Sequence, residues 1–343
     1  VYLSEQLRKV MLVLKAKDDD LYLKEGIRRC WYVINMDDVF SELKRKKEQL
    51  HSSRPRTFDF TTMHTCLKHD TIFENLELAI KEAKAFSDFC NQSNMNVNNI
   101  GPIDETEKLM VFIRHIVSNT FFCNGGSVKT QLIGLPMGTN AAPEIANLTL
   151  YVPESQFIDN LRRTNISLAR QLAFTRRFID DLLCWNCEPP SCDTYGLQWL
   201  ETSETDYVTF LGARIKTRSN GSFETSIFNK FEEWNFNVIK YPHMDSNVPI
   251  HQASGIVKGQ LFRFRLICNS IKAFKIATTS LVSHMIYRGH NYRSIYKGWT
   301  AHLSHYNEDI FTNYSTLKAW FKKMLHWVEH QHRLGTLFTS SRD

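Results

Sequence analysis

The sequence predicts an α+β fold, and three observations carry that prediction. Two asparagine–glycine turns sit between strand-like runs: Asn124-Gly125-Gly126 and Asn220-Gly221. Each is a hairpin signal, because these residues accept the positive φ that tight turns need. Two further apolar runs, TFDFTT around Asp59 and RFIDDLL around Asp180 and Asp181, read as strands interrupted by carboxylates. After Pro249 the pattern is helical to the end.

Taken in order, residues 3–14 place Leu3, Leu7, Val10, Met11 and Leu14 on one helical face. A second helix is expected from Asp37, with Val39, Phe40 and Leu43 inward and the charged tail KRKKEQ behind it. Arg56–Thr62 reads as a strand. Thr71 with Glu74 forms a capping box that opens a helix running to Phe89. Residues 92–102 read as a loop, and Asp104–Ser118 as a helix. Thr120–Cys123 and Val128–Leu132 form the first hairpin, and a glycine turn at 134–138 feeds a helix beginning near Pro143. Pro153 lies inside that run and is expected to end or kink it, since it lacks an amide hydrogen. Tyr207–Thr217 and Ser222–Phe228 form the second hairpin.

Composition sets limits. The chain has 343 residues, 43% hydrophobic and 23% charged, which argues for a folded protein rather than disorder. No apolar run approaches the roughly 20 residues needed to span a bilayer. The first residues, VYLSEQLRKV, are amphipathic and do not read as a secretory signal. The chain begins with Val1 rather than Met, so an upstream segment is expected. The net charge is +6, but residues 246–343 carry 13 Lys/Arg against 4 Asp/Glu, a surplus of +9 that leaves −3 elsewhere. A basic C-terminal third beside an acidic site suits a polyanion held next to bound metal. The eight cysteines show no disulfide-framework spacing and fit a reducing compartment. Cys184, Cys187 and Cys192 spell C-x2-C-x4-C without a nearby fourth ligand, and His326-Trp327-Val328-Glu329-His330 spells H-x-x-E-H without a downstream acidic ligand other than Asp343. Zinc is not expected at either.

The carboxylates carry the chemistry. Burying an unpaired carboxylate is costly, so acids inside apolar strands imply a cation. One acid from an early strand and a pair from a late one suit two divalent ions about 4 Å apart, an arrangement for nucleotidyl transfer. In Phe58-Asp59-Phe60 the phenylalanines point away from Asp59.

Five blocks in series resemble the Penelope-like reverse transcriptases, relatives of telomerase. TFDFTTMHTCLKHD (57–70), QLIGLPMGTNAAP (131–143) and RRFIDDLL resemble that family's motifs A, B and C. FETSIFNKFEEWNFNVIKYPHMDSNVP (223–249) and GIVKGQLFRFRLICNS (255–270) resemble the segments that follow. The resemblance implies a right-hand polymerase palm with helical fingers elements and a mainly α-helical thumb. It implies three regions: 1–55, an N-terminal helical segment and partial fingers; 56–245, the palm, with a helical fingers insertion around 70–133; and 246–343, a basic helical thumb. The implied activity is RNA-directed DNA polymerisation with two Mg²⁺ ions, Mn²⁺ being an alternative. Asp59, Asp180 and Asp181 are the implied catalytic metal ligands, joined by the Phe60 backbone. Phe60, His64, Gln131, Met137 and Gly138 would line the nucleotide site. Lys230, Lys258, Gln260, Arg263 and Arg265 would contact nucleic acid. The implied partners are an RNA template, a DNA primer or an RNA–DNA hybrid, and dNTPs, without a membrane. An intracellular location follows, nuclear, with the mitochondrion as alternative.

Two departures shape the alternatives. His64 stands where the family has an aromatic residue that blocks a ribose 2′-hydroxyl, which opens an RNA-copying or terminal-transferase activity. No basic fingers hairpin precedes Asp59, and no endonuclease domain is seen. The competing readings are therefore an inactive reverse-transcriptase-derived RNA-binding scaffold within a ribonucleoprotein, or one piece of a split enzyme whose fingers come from a separate chain.

Overall fold

The computed structural model describes residues 1–92, 100–230, 234, 238–249, 251–303 and 314–336. Much of the loop expected at 92–102 therefore falls outside the described residues, as does part of the 223–249 block. The chain divides into two units. One comprises Val1–Val39 and Ser53–Phe210, the other Phe40–Ser52 and Leu211–Asp343.

In the first unit, α1 (Tyr2–Glu25) is longer than its first apolar stripe suggests, and Gly26 ends it in a left-handed conformation. After α2 (Met36–Arg45), which straddles the division, comes β1 (Pro55–Phe60). A short turn of helix, α3 (Met63–Cys66), leads into α4 (His69–Gln92). Helix α4 starts two residues before Thr71, so the expected capping box is already helical. Then follow α5 (Thr106–Ser118), the hairpin β2 (Phe121–Asn124) and β3 (Ser127–Thr130), and α6 (Ala142–Thr164). Every residue of β2 and β3 is exposed.

Helix α6 corrects the expectation at Pro153, for it continues unbroken through that residue. A proline at 153 leaves the carbonyl of Thr149 without its amide partner. The Asn75 side chain on α4 fills the place, its Nδ2 donating to Thr149 O at 2.9 Å. A neighbouring helix thus supplies the hydrogen bond that the proline removes.

Beyond α6, α7 (Ile166–Gln171) and a single 3-10 turn lead to β4 (Arg176–Phe178) and β5 (Asp181–Trp185). The unit ends with α8 (Cys192–Tyr195), β6 (Trp199–Glu201) and β7 (Val208–Phe210). The principal sheet has the antiparallel order β4-β5-β1-β6. Phe58 and Phe60 bury one face of β1, meeting Trp199 and Tyr195 edge-on at centroid distances of 5.1 and 4.8 Å. Helices α1, α4 and α6 supply much of the core, through residues such as Leu7, Val10, Ile72, Leu76, Ile145 and Leu148.

In the second unit, β8 (Ala213–Thr217) and β9 (Phe223–Ile227) form a hairpin. The single strand expected over 207–217 is broken instead, because Leu211 and Gly212 both take positive φ. Helices α9 (Gln252–Ile267), α10 (Ile271–Tyr287), α11 (Tyr292–Leu303) and α12 (Tyr314–Arg333) follow. Their core centres on Trp299 stacked on Phe321, 3.9 Å between centroids and 7° between planes. Gly298 lets α11 approach α9: a Cβ there would lie 2.6 Å from Ser254 O. Asn269 pins the hairpin to the end of α9, accepting from Thr225 N at 2.9 Å and donating to Phe223 O at 3.0 Å.

Candidate metal centre

Strand register creates the site. Asp59 on β1 stands directly opposite Asp181 on β5, so both carboxylates rise from the same sheet face. The β4–β5 hairpin closes with a two-residue turn, Ile179-Asp180, between the paired residues Phe178 and Asp181. Asp180 is thus a turn residue, whereas the sequence suggested a continuous strand. Its carbonyl accepts the Phe60 amide at 3.2 Å, which draws the turn against β1. One oxygen from each of Asp59, Asp180 and Asp181 lies within 4.8 Å of the others. Asp59 and Asp180 are half-buried and Asp181 is exposed.

Three carboxylates so close repel one another, and like charges opposite each other across a sheet are destabilising. Burial, and then the charge of Asp180, hold the Asp59 carboxyl above its usual 3.8. Among the described residues, neither Asp59 nor Asp180 forms an ion pair with a lysine or arginine. An all-carboxylate donor set with hard oxygens and no protein counter-charge on those two residues suits Mg²⁺ or Mn²⁺. The residues present therefore fit the implied ions.

The turn itself is strained. Ile179 has φ 57°, a conformation that a β-branched residue rarely takes and that costs about 1–3 kcal/mol. Behind it lies a buried ion pair that the sequence reading missed. Arg177 and Glu154 are both fully buried, with Nε to Oε1 at 2.6 Å and Nη2 to Oε2 at 3.0 Å. Burial pushes the Glu154 carboxyl up, against the pull of Arg177 and the Tyr195 hydroxyl. The Arg177 guanidinium does not deprotonate, so we read the pair as ionised. A sequence signal existed: charged residues embedded in apolar runs seldom occur without a partner.

The glycine turn packs on the segment that follows β1. Gly134 N donates to Leu67 O at 2.7 Å, and Leu135 N donates to His64 O at 2.9 Å. Gly134 has φ +92°, and a Cβ there would lie 2.4 Å from His64 O. Gln131 braces the same turn, its Nε2 donating to Ile133 O at 3.0 Å and Leu135 O at 3.2 Å. Of the expected nucleotide-site residues, Met137 is 70% exposed and Gly138 has open space where a Cβ would stand. His64 is half-buried, its Nδ1 without a hydrogen-bond partner. The Phe60 side chain is buried in the core, so only its backbone is placed to serve a metal.

The expected nucleic-acid contacts lie in the second unit. Lys230 is exposed. Lys258, Gln260, Arg263 and Arg265 all lie on α9 and are half-buried, but they do not share one face. At about 100° per residue, Lys258 and Arg265 fall together, and Gln260 and Arg263 fall on another side. Lys258 sits 5.9 Å from the Phe262 ring centroid, and Arg263 packs against Gly212. The two zinc-like patterns stay apart from any metal cluster: among the described residues, Asp59, Asp180 and Asp181 form the only group of three or more potential ligands. Cys184 and Cys187 are buried and hydrogen-bond each other, and His326 stacks on Tyr292.

No family model matches the chain, and no curated protein matches it. Among solved structures it is similar to a telomerase from Candida albicans in complex with the TWJ fragment of telomeric RNA, with 10% identity and a TM-score of 0.48. That alignment covers 100% of this chain and 54% of the other. It is similar also to an apo telomerase from Candida tropicalis, with 12% identity, a TM-score of 0.44 and coverage of 94% and 54%. The same telomerase truncated from its C-terminal domain aligns at 15% identity and a TM-score of 0.40 over 62% of this chain and 44% of that one. The chain thus spans about half the length of the structures it matches. Likeness at this level says nothing about chemistry. No described helix is long and apolar enough to cross a membrane.

Proposed function

We propose that this chain is an RNA-directed DNA polymerase of the Penelope-like reverse transcriptase kind, extending a primer 3′-hydroxyl with deoxynucleoside triphosphates. One observation carries the reading: Asp59 and the distant pair Asp180 and Asp181 bring their carboxylate oxygens within 4.8 Å of one another. These three would hold the ions, with the Phe60 backbone assisting. When bound, two Mg²⁺ ions would activate the primer 3′-oxygen and neutralise the departing pyrophosphate.

The chain's own residues supply positioning. The glycine turn hangs from His64 and Leu67, a few residues beyond Asp59, and this supports a nucleotide seated between the turn and the carboxylates. Gln131 would act through the turn it braces, and Met137 and Gly138 are accessible to a base or sugar. Residues 56–245 would form the palm and 246–343 a thumb that holds an RNA–DNA hybrid. On α9, Lys258 and Arg265 would meet one stretch of backbone, and Gln260 and Arg263 another.

Primer extension on an RNA template with Mg²⁺ and dNTPs, alongside Asp180→Ala, tests the proposal. Incorporation by the wild type and its loss in the variant are expected; equal incorporation by both would remove the claim. RNA binding without incorporation by either would point to a non-catalytic scaffold. Comparing ribo- and deoxynucleotide incorporation tests whether His64 relaxes sugar choice.

A further inference from the structure

We propose that Arg177 is a positioning residue for the carboxylate site, holding the Ile179-Asp180 turn against α6; this rests on the metal-centre reading above. Its guanidinium uses every available donor. Besides the two bonds to Glu154, Nη1 donates to Asn147 Oδ1 at 3.0 Å, and Nη2 to Asn147 O at 3.1 Å. The remaining bond runs from Nη1 to Ile179 O at 3.0 Å. Glu154 and Asn147 both belong to α6, the helix that follows the glycine turn.

The bond to Ile179 O distinguishes positioning from mere charge neutralisation. Glu154 is already satisfied by two guanidinium bonds and the Tyr195 hydroxyl, and needs nothing more from Arg177. The extra donor reaches the carbonyl of the one residue in this turn with φ in the left-handed region, immediately before Asp180. If that peptide relaxed, Asp180 would swing relative to Asp59 and Asp181. The arginine itself cannot shift to follow it. Its backbone amide donates to Trp31 O at 2.7 Å, and its carbonyl accepts from Val33 N at 2.8 Å. Arg177 is therefore a fixed post that ties the glycine-turn helix to the metal-binding turn, so that the two halves of the site keep one spacing.

The test is Mn²⁺ binding by the full chain, followed through the electron paramagnetic resonance of the free ion, with thermal denaturation in parallel. The decisive variant is Arg177→Met combined with Glu154→Gln. It removes both buried charges at once, and such replacements are tolerated by folds because no charge is stranded. The expected result is a melting temperature near that of the wild type with Mn²⁺ affinity weakened about tenfold or more, the scale of outer-sphere effects at metal sites. A folded double variant that binds Mn²⁺ as tightly as the wild type overturns the inference. Should the double variant fail to fold, Arg177→Lys keeps a charge beside Glu154 but cannot span to Ile179 O, and the same affinity criterion applies. Asp180→Asn serves as the reference. If the wild type binds Mn²⁺ no better than that variant, the metal reading falls and this inference with it.

Discussion

Replacing Gly134 with alanine should cost far more than the same change at Gly138, although both glycines belong to one short turn. Their φ values are nearly equal, +92° and +89°. An alanine forced to positive φ costs roughly 1–2 kcal/mol at either position. The surroundings differ. At Gly138 nothing lies within 4 Å of the added carbon. At Gly134 the carbon would stand 2.4 Å from His64 O and 3.1 Å from Thr65 Cα, both backbone atoms. Either the turn or α3 must move, and the bonds Gly134 N to Leu67 O and Leu135 N to His64 O stretch with it. Each is worth about 1 kcal/mol. The total for Gly134→Ala is then about 3–4 kcal/mol, against about 1–2 for Gly138→Ala. In a unit of roughly 200 residues, 1 kcal/mol moves the melting temperature by about 2–4 °C. Calorimetry should therefore show a loss of about 6–16 °C for Gly134→Ala and about 2–8 °C for Gly138→Ala. Equal losses would refute the claim that the turn is clamped to the segment after β1.

Asp59→Asn should raise metal-free stability slightly, by no more than about 1 kcal/mol given solvent screening, and abolish the thermal shift produced by Mg²⁺. Because the Asp59 carboxyl is held above its usual 3.8, the folded, metal-free state binds its proton more readily than the unfolded chain does. That contribution to stability is therefore greatest below pH 3.8 and declines as pH rises through the folded value; Mn²⁺ affinity should run the other way, weakening as pH falls through the same range, in titrations from pH 7 to 4. Asn75→Ala leaves the Thr149 carbonyl without a partner beside Pro153 and should destabilise the first unit by about 1–3 kcal/mol, measured by urea unfolding. Gly298→Ala drives a carbon to 2.7 Å from Val257 Cβ and should lower the melting of the second unit while sparing the first. Lys258→Ala should reduce the slope of log affinity for an RNA–DNA hybrid against log salt by about one; an unchanged slope would remove that residue from the phosphate contacts.

Much of this protein was legible from its letters. Alternation in Thr57-Phe58-Asp59-Phe60 announced a strand with its acid on the face opposite the phenylalanines, and the asparagine–glycine pairs announced both hairpins. Helical periodicity located most helices, since an apolar stripe needs only local spacing to be read. Two expectations were not met. Pro153 carries a local rule that favours a helix end, and only Asn75, on another helix, cancels it. The run 207–217 looked like one strand because neither Leu211 nor Gly212 signals a break strongly. Lys258, Gln260, Arg263 and Arg265 share one helix, α9, where the helical angle sets Lys258 and Arg265 apart from Gln260 and Arg263.

The letters by themselves determined the parts: which runs are strands and where the acids interrupt them. They could not determine the convergence. That Asp59 lies opposite Asp181 is a matter of strand register, and register is settled by which faces the whole sheet buries. That Ile179 holds a positive φ, and that Arg177 grips its carbonyl while pairing with Glu154 on α6, depends on contacts between segments distant in the chain. Those energies exist only once the core has closed around them, so no local pattern records them.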